Sequence, residues 1–203
     1  MSLFRKIFGP KSDDSQEHIK SEERSKYMPD ISIPVDERFT INFKANGGKF
    51  LYCENLDEVQ ENLSNILEEN EWQEKNALVY DDRLKDKFKN LKLKLTKSSS
   101  DADYFFTTCE YLIANDGSLL ISSNQIAEKK LKELPDSFII FATTSQFTET
   151  ISEGLRGIKG KNSERIPTNI TTIKHFKTSS TEQDFLSYGS SSKNLYLLLL
   201  EDL

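Results

Sequence analysis

Gly154-Leu155-Arg156-Gly157-Ile158-Lys159-Gly160-Lys161 is where this chain comes nearest to an anion site, since glycines between cations can expose backbone N–H groups, and Arg165 adds a further charge. The competing reading is a helix end. Ile158 closes a periodic apolar pattern, and cations at a helix C-terminus satisfy its last carbonyls and its partial negative charge. Arg156, Lys159, Lys161 and Arg165 are therefore candidate anion ligands, with that alternative open. His175 is the histidine inside the expected folded region, so a general base or imidazole ligand would have to be this one. No G-x-S-x-G elbow, H-E-x-x-H pair or G-x-x-x-x-G-K-Ser/Thr phosphate loop accompanies it, and a surface or structural histidine is the competing reading.

Other chemistries are narrowed by supply. Cys53 and Cys109 are the only cysteines, too few for the four thiolates of an iron–sulfur cluster or structural zinc site, and His18 and His175 are the only histidines. No metal or cofactor of its own is expected. Both cysteines lie in or at the end of apolar stretches, where thiols are inert fillers. The run from Arg83 to Lys97 holds seven cations and one acid, but Phe88 is its lone aromatic residue, whereas a nucleic-acid stacking platform needs several rings. The 203 residues carry 27 Lys+Arg against 33 Asp+Glu, a net charge of -6, which disfavours nucleic acid or anionic membrane as the main partner. The longest apolar run, Leu195 to Leu200, is six residues, far short of the roughly 18 to 20 a spanning helix needs. Met1 to Lys6 shows no apolar signal-peptide region, and Ser2 removes the usual myristoylation signal, so a cytoplasmic address is expected.

These candidates need a scaffold. Residues 1–30 read as a flexible tail: residues 9–26 hold one hydrophobic residue, Ile19, among nine charged ones. Leu3, Phe4, Ile7 and Phe8 within it suggest a short amphipathic turn, either a docking peptide or an apolar tail. Residues 31–203 read as the folded domain. Phe39 to Ala45 fits a strand leading through Asn46-Gly47 into a hairpin, and equally a helix closed by Gly47 or Gly48. Phe50 to Cys53 reads as a strand. Asn55 and Glu58 have capping-box spacing before a helix with Leu56, Val59, Leu63, Ile66 and Leu67 inward. Ala77 to Tyr80 reads as a strand, Arg83 to Asn90 as a short helix and Leu91 to Leu95 as a strand with its lysines on one exposed face. Asn115-Asp116-Gly117 marks a tight turn between two apolar strands. Phe138 to Ala142 reads as a buried strand, Gln146 to Ile158 as a helix striped by Phe147, Ile151, Leu155 and Ile158, Ile170 to Ile173 as a strand, 177–192 as a Ser/Thr-rich loop and Leu195 to Leu200 as a final buried strand. Strands alternating with helices imply an α/β fold with a mostly parallel sheet flanked by helices.

Taken in order, Phe39 and Phe43 with Asn46-Gly47-Gly48-Lys49-Phe50, then Tyr111 to Leu120, Leu134-Pro135-Asp136 and Leu195 to Asp202 resemble the LUD domain of lactate-utilization protein B/C. Ile113 to Leu120 is similar to the family's I-A-D/E-T-G-T-L turn, and the resemblance covers roughly Val35 to Leu203. It implies a NagB/RpiA/CoA-transferase-like sheet and a helix at Phe39 to Ala45. It also implies association with oxidation of L-lactate to pyruvate beside an iron–sulfur partner protein that supplies the redox centres, and a ligand-binding role for Asn115, Asp116, Gly117 and Ser118.

The departures bear on catalysis. Where the family's G-P-S-R-T-A-D-I-E segment should fall, this chain reads Thr168-Asn169-Ile170-Thr171-Thr172-Ile173-Lys174-His175, and Tyr188 to Ser192 stands near the place of H-G-P. The expectation is a divergent member serving as a non-redox component or binding module in organic-acid utilization. The alternative is an enzyme that holds the anion of a phosphorylated sugar or thioester between the Asn115 turn and the Arg156–Arg165 cations. A third reading is an adaptor recruited through the N-terminal peptide.

Overall fold

Short apolar runs that must be covered on both faces find cover inside a helix-flanked sheet. In the computed structural model of the chain, which describes residues 33–161, 166–176 and 193–202, they assemble into one. Helix α1 (Val35–Ala45) leads to β1 (Lys49–Cys53), α2 (Leu56–Glu69), β2 (Asn76–Leu78), α3 (Asp82–Lys87), β3 (Lys94–Thr96) and β4 (Tyr104–Thr108). The hairpin β5 (Tyr111–Ile113) and β6 (Ser118–Ile121) follows, then α4 (Ser123–Ile126) and β7 (Ser137–Thr143). The chain continues through β8 (Phe147–Thr148), α5 (Ile151–Lys161), β9 (Thr171–Ile173) and β10 (Asn194–Leu200). The expected tail, the 177–192 loop and Arg165 lie outside the described residues.

Six strands in the order β1-β10-β7-β4-β2-β3 form a sheet in which every neighbouring pair is parallel. The most apolar strands, β10 and β7, sit in the middle, with Leu195 to Leu199 and Phe138 to Ala142 buried. On one face, Val59, Leu63, Ile66 and Leu67 of α2 share a core with strand residues that include Leu51, Phe106 and Leu198. Asn55 caps α2 by accepting from the Glu58 N–H at 2.9 Å, and Glu58 reaches back to the Glu54 N–H at 2.8 Å. Helix α1 lies on the other face: Lys44 Nζ is 6.0 Å from the Phe50 ring, and Phe50 points opposite to its neighbour Leu51. The α/β class is as expected, and Phe39 to Ala45 is helical, with the Phe39 and Phe43 rings stacked 5.3 Å apart.

A second sheet, β8-β5-β6-β9, is built around the β5/β6 hairpin. Its turn is docked on α1. Asn42 Nδ2 donates to the Ala114 carbonyl at 2.8 Å and Asn46 Nδ2 to the Asp116 carbonyl at 2.7 Å. Asp116 Oδ1 accepts from the Ser118 hydroxyl and N–H at 2.7 and 3.1 Å. Gly117 takes φ +67°, and a Cβ there would stand 2.4 Å from the Asn42 carbonyl carbon and the Phe43 nitrogen.

Two sequence readings are corrected. Leu91 to Leu95 is not a continuous strand: a 3-10 turn at Lys89–Leu91 and left-handed Lys92 interrupt it, and Lys94–Thr96 alone pairs, at the sheet edge. That turn follows the burial of Phe88 against the Phe106 and Phe141 rings at 5.1 and 5.5 Å. The helix assigned to Gln146–Ile158 starts instead at Ile151 and runs to Lys161. Thr150 Oγ1 accepts from the Glu153 N–H at 3.2 Å, and Glu153 Oε2 accepts from the Thr150 N–H at 3.3 Å. This capping pair, Thr150-Ile-Ser-Glu153, overrides the apolar spacing and leaves Phe147 to β8. Ile151 and Leu155 are consequently exposed, at 37% and 41%, while Gly154 and Ile158 face inward.

Gly117→Ala should lower unfolding free energy by more than the roughly 1–2 kcal/mol of a left-handed residue, because its methyl meets α1 backbone as well. Gly160→Ala, helical and with nothing within 4 Å of its Cβ, should raise stability by up to about 1 kcal/mol. Urea unfolding of both variants checks the contrast.

Candidate functional site

The connections leaving the carboxyl ends of the neighbouring strands β2 and β4 diverge: from β2 the chain moves outward to β3, whereas from β4 it passes through the second sheet and re-enters at β7, on the opposite side. In open α/β sheets a crevice forms beyond the carboxyl ends of strands at such a point. Here the divergence is widened because β4 ends at Thr108 and the chain leaves the large sheet through Cys109-Glu110 to begin β5 in the other one. A cleft of about 500 Å³ opens at this place. Asp81, Arg83 and Lys87 wall it after β2, and Thr108, Cys109 and Glu110 after β4. Gln146 beyond β7, Asn124 and Gln125 of α4, and Lys161 at the end of α5 complete it.

Each wall is fixed by hydrogen bonds its own sequence supplies. Gln146 Nε2 donates to the Cys109 carbonyl at 2.5 Å and the Glu110 carbonyl at 3.3 Å, and its Oε1 accepts from the Thr143 N–H at 2.8 Å. Glu110 Oε1 accepts from the Ser122 hydroxyl at 2.6 Å and from Asn124 Nδ2 at 2.9 Å. Ser122 also caps α4, accepting from the Asn124 N–H at 3.1 Å. Asp81 caps α3 through the Arg83 N–H at 2.9 Å and receives the Arg83 guanidinium on both oxygens, at 3.1 and 2.9 Å. Those hydrogen bonds from Arg83 hold the Asp81 carboxyl below its usual range. The cations rest on rings, Lys87 Nζ 5.0 Å from the Phe141 centroid and Lys161 Nζ 4.7 Å from that of Tyr111. Cys109 is buried, and burial pushes its thiol well above the ordinary range; burial raises Cys53 likewise. Burial thus favours the neutral thiol in both.

The residues singled out in the sequence are dispersed. Lys161 lines this cleft. Arg156 and Lys159 are exposed on α5, and Gly154 and Gly157 there serve packing: a Cβ at Gly157 would fall 2.1 Å from the Tyr111 hydroxyl. Asn115 to Ser118 form the turn docked on α1 and line neither this cleft nor a second one, which His175 borders together with Lys130, Lys132 and Lys174. Asp81, Glu110 and Gln146 escaped the sequence reading. Asp81 carried a usable signal, since an acidic residue directly after a buried strand and before a short helix is a capping position at a strand's carboxyl end.

Gln146→Leu would leave the Thr143 N–H and the Cys109 carbonyl without this partner, and should cost about 1–3 kcal/mol in urea unfolding. Gln146→Glu keeps an acceptor for the Thr143 N–H but sets a carboxylate oxygen against the Cys109 and Glu110 carbonyls, so it should be destabilised as well.

Among known proteins, a family model of the LUD domain matches residues 37–200. The crystal structure of a DUF162 family protein from Deinococcus radiodurans has the same fold, with a TM-score of 0.56 at 14% identity over 82% of this chain and 96% of that one. No curated protein matches the chain. Among the described residues no helix is long and apolar enough to cross a membrane. The family match spans most of the chain and both sheets, and the chain belongs to the LUD-domain family.

Proposed function

We propose that this LUD-domain chain is a non-redox binding module of an organic-acid oxidation system, and that the cleft beyond β2 and β4 holds a small hydroxy acid such as lactate. The observation that carries the reading is the meeting of Arg83, Lys87 and Lys161 with Glu110 and Asn124 around one cleft at the sheet's carboxyl edge. Cations held over aromatic rings suit a carboxylate. Among the described residues Glu110 takes its two side-chain hydrogen bonds on Oε1, which leaves Oε2 to accept from a donor such as an α-hydroxyl. The family's association with lactate utilization supports the same ligand class. With only two thiols, both buried, the chain lacks the thiolates of an iron–sulfur cluster. Electrons from such an oxidation would then pass to an iron–sulfur partner protein.

Calorimetric titration tests the ligand. L-Lactate should bind, with propionate, which lacks the hydroxyl, at least tenfold weaker. Lactate at about 100 times its Kd should raise the unfolding free energy by roughly 2.7 kcal/mol. Lys87→Met and Lys161→Met should each weaken binding about tenfold, the loss of one charge-assisted hydrogen bond. Absence of hydroxy-acid affinity, or affinity indifferent to both lysines, would overturn the proposal.

A further inference from the structure

The second cleft, about 560 Å³, lies on the other flank of α4: Asn124 and Gln125 border the first cleft, and Ile126 borders this one. One wall is the Lys130–Lys132 segment; the other is Asn169, β9 and the following Lys174 and His175. The walls are stapled to each other. Thr168 N–H donates to Ser123 Oγ at 3.0 Å, and Ser123 N–H donates to the Thr168 carbonyl at 2.9 Å. The Thr168 hydroxyl donates to Glu128 at 2.8 Å, and Asn169 Nδ2 donates to the Lys129 carbonyl at 2.8 Å. The opening between them is therefore a preformed feature of the fold. Such volumes are those of small-molecule sites.

Its chemistry is one-sided. Lys130, Lys132, Lys174 and His175 line it, and among the described residues none of its lining is a carboxylate. The acids close by are turned to other tasks. Glu133 accepts from the Lys130 backbone N–H at 2.6 Å, and Asp116 stands 3.8 Å from Lys174 Nζ, a partly exposed pair of little intrinsic strength. The lining is also apolar in part: half-buried Leu131 presents a reachable apolar surface, above the fully buried Ile126 and Ile173. Three lysines and a histidine gathered around a partly apolar cleft suit an anion with an apolar body.

We propose that this cleft is a binding site for a small organic phosphate, its phosphoryl group held by Lys130, Lys132 and Lys174 and its apolar body resting on Leu131 and the aliphatic stems of the lysines. A dianionic phosphoryl group offers several acceptors to ammonium groups arriving from opposite walls, which a single carboxylate does not. The site is separate from the hydroxy-acid cleft and does not depend on it.

Phenyl phosphate, inorganic phosphate and benzoate, titrated into the full-length chain by calorimetry, separate head group from body. Phenyl phosphate should bind at least tenfold more tightly than either of the others. Lys130→Met, Lys132→Met and Lys174→Met should each weaken it at least threefold, while Lys97→Met, which removes the same charge from a residue lining neither cleft, should change it by less than twofold. Benzoate binding as well as phenyl phosphate would refute phosphoryl recognition, and inorganic phosphate binding equally well would refute the apolar subsite. Equal weakening by Lys97→Met, or displacement by L-lactate, would refute the location.

Discussion

The carboxamide of Gln146 ties the carboxyl ends of the two adjacent strands β4 and β7 across the point where the chain abandons the large sheet. It accepts from the Thr143 N–H at the end of β7 and donates to the Cys109 and Glu110 carbonyls just past β4. A backbone leaving a sheet gives up its ladder partners, and those groups need replacements where burial excludes water. One side chain supplies them here. The arrangement fixes where β5 begins, hence where Glu110 stands, and holds open the space between the β2 and β4 loops.

From that break the second sheet has to be held against the first, and the hairpin turn does this. Asn42 and Asn46 on α1 grip the Ala114 and Asp116 carbonyls, and Gly117 permits an approach no side chain would tolerate. The turn thus serves as a joint between layers. Many of the residues that bring chemistry to the clefts lie instead on short elements, α3, α4 and the Lys130–Lys132 segment, each locked by its own cap or staple, and Lys161 joins them from the end of α5. Rigid edges with polar groups attached are the usual way an α/β scaffold presents a ligand site.

Much of the scaffold was legible in the residues themselves. The Asn55 cap and the stripe of α2, the apolar runs of β7 and β10 and the Asn115 turn all obey local rules, and each has its expected form. The errors arose where a local rule met a stronger one. A 3.6-residue spacing from Phe147 to Ile158 was cut by the Thr150–Glu153 cap, and the alternation of Leu91 to Leu95 gave way to the burial of Phe88. The clefts were harder to read. Lys161 and Glu110 are 51 positions apart in the chain, and it is the packing of α5 on Tyr111, next to Glu110, that sets them around one space. Asn115 to Ser118, conspicuous in the sequence, form the turn that packs on α1. Arg165 lies outside the described residues.

The central claim is that the break after β4 creates the place where a small hydroxy acid is held. Mapping L-lactate onto the chain by heteronuclear NMR tests it most directly. Amide shifts clustered at Arg83, Glu110, Asn124 and Gln146, with Asn42 and Gly117 unmoved, are the predicted result. Shifts centred on the Asn115 to Ser118 turn, or spread without a centre, would contradict it.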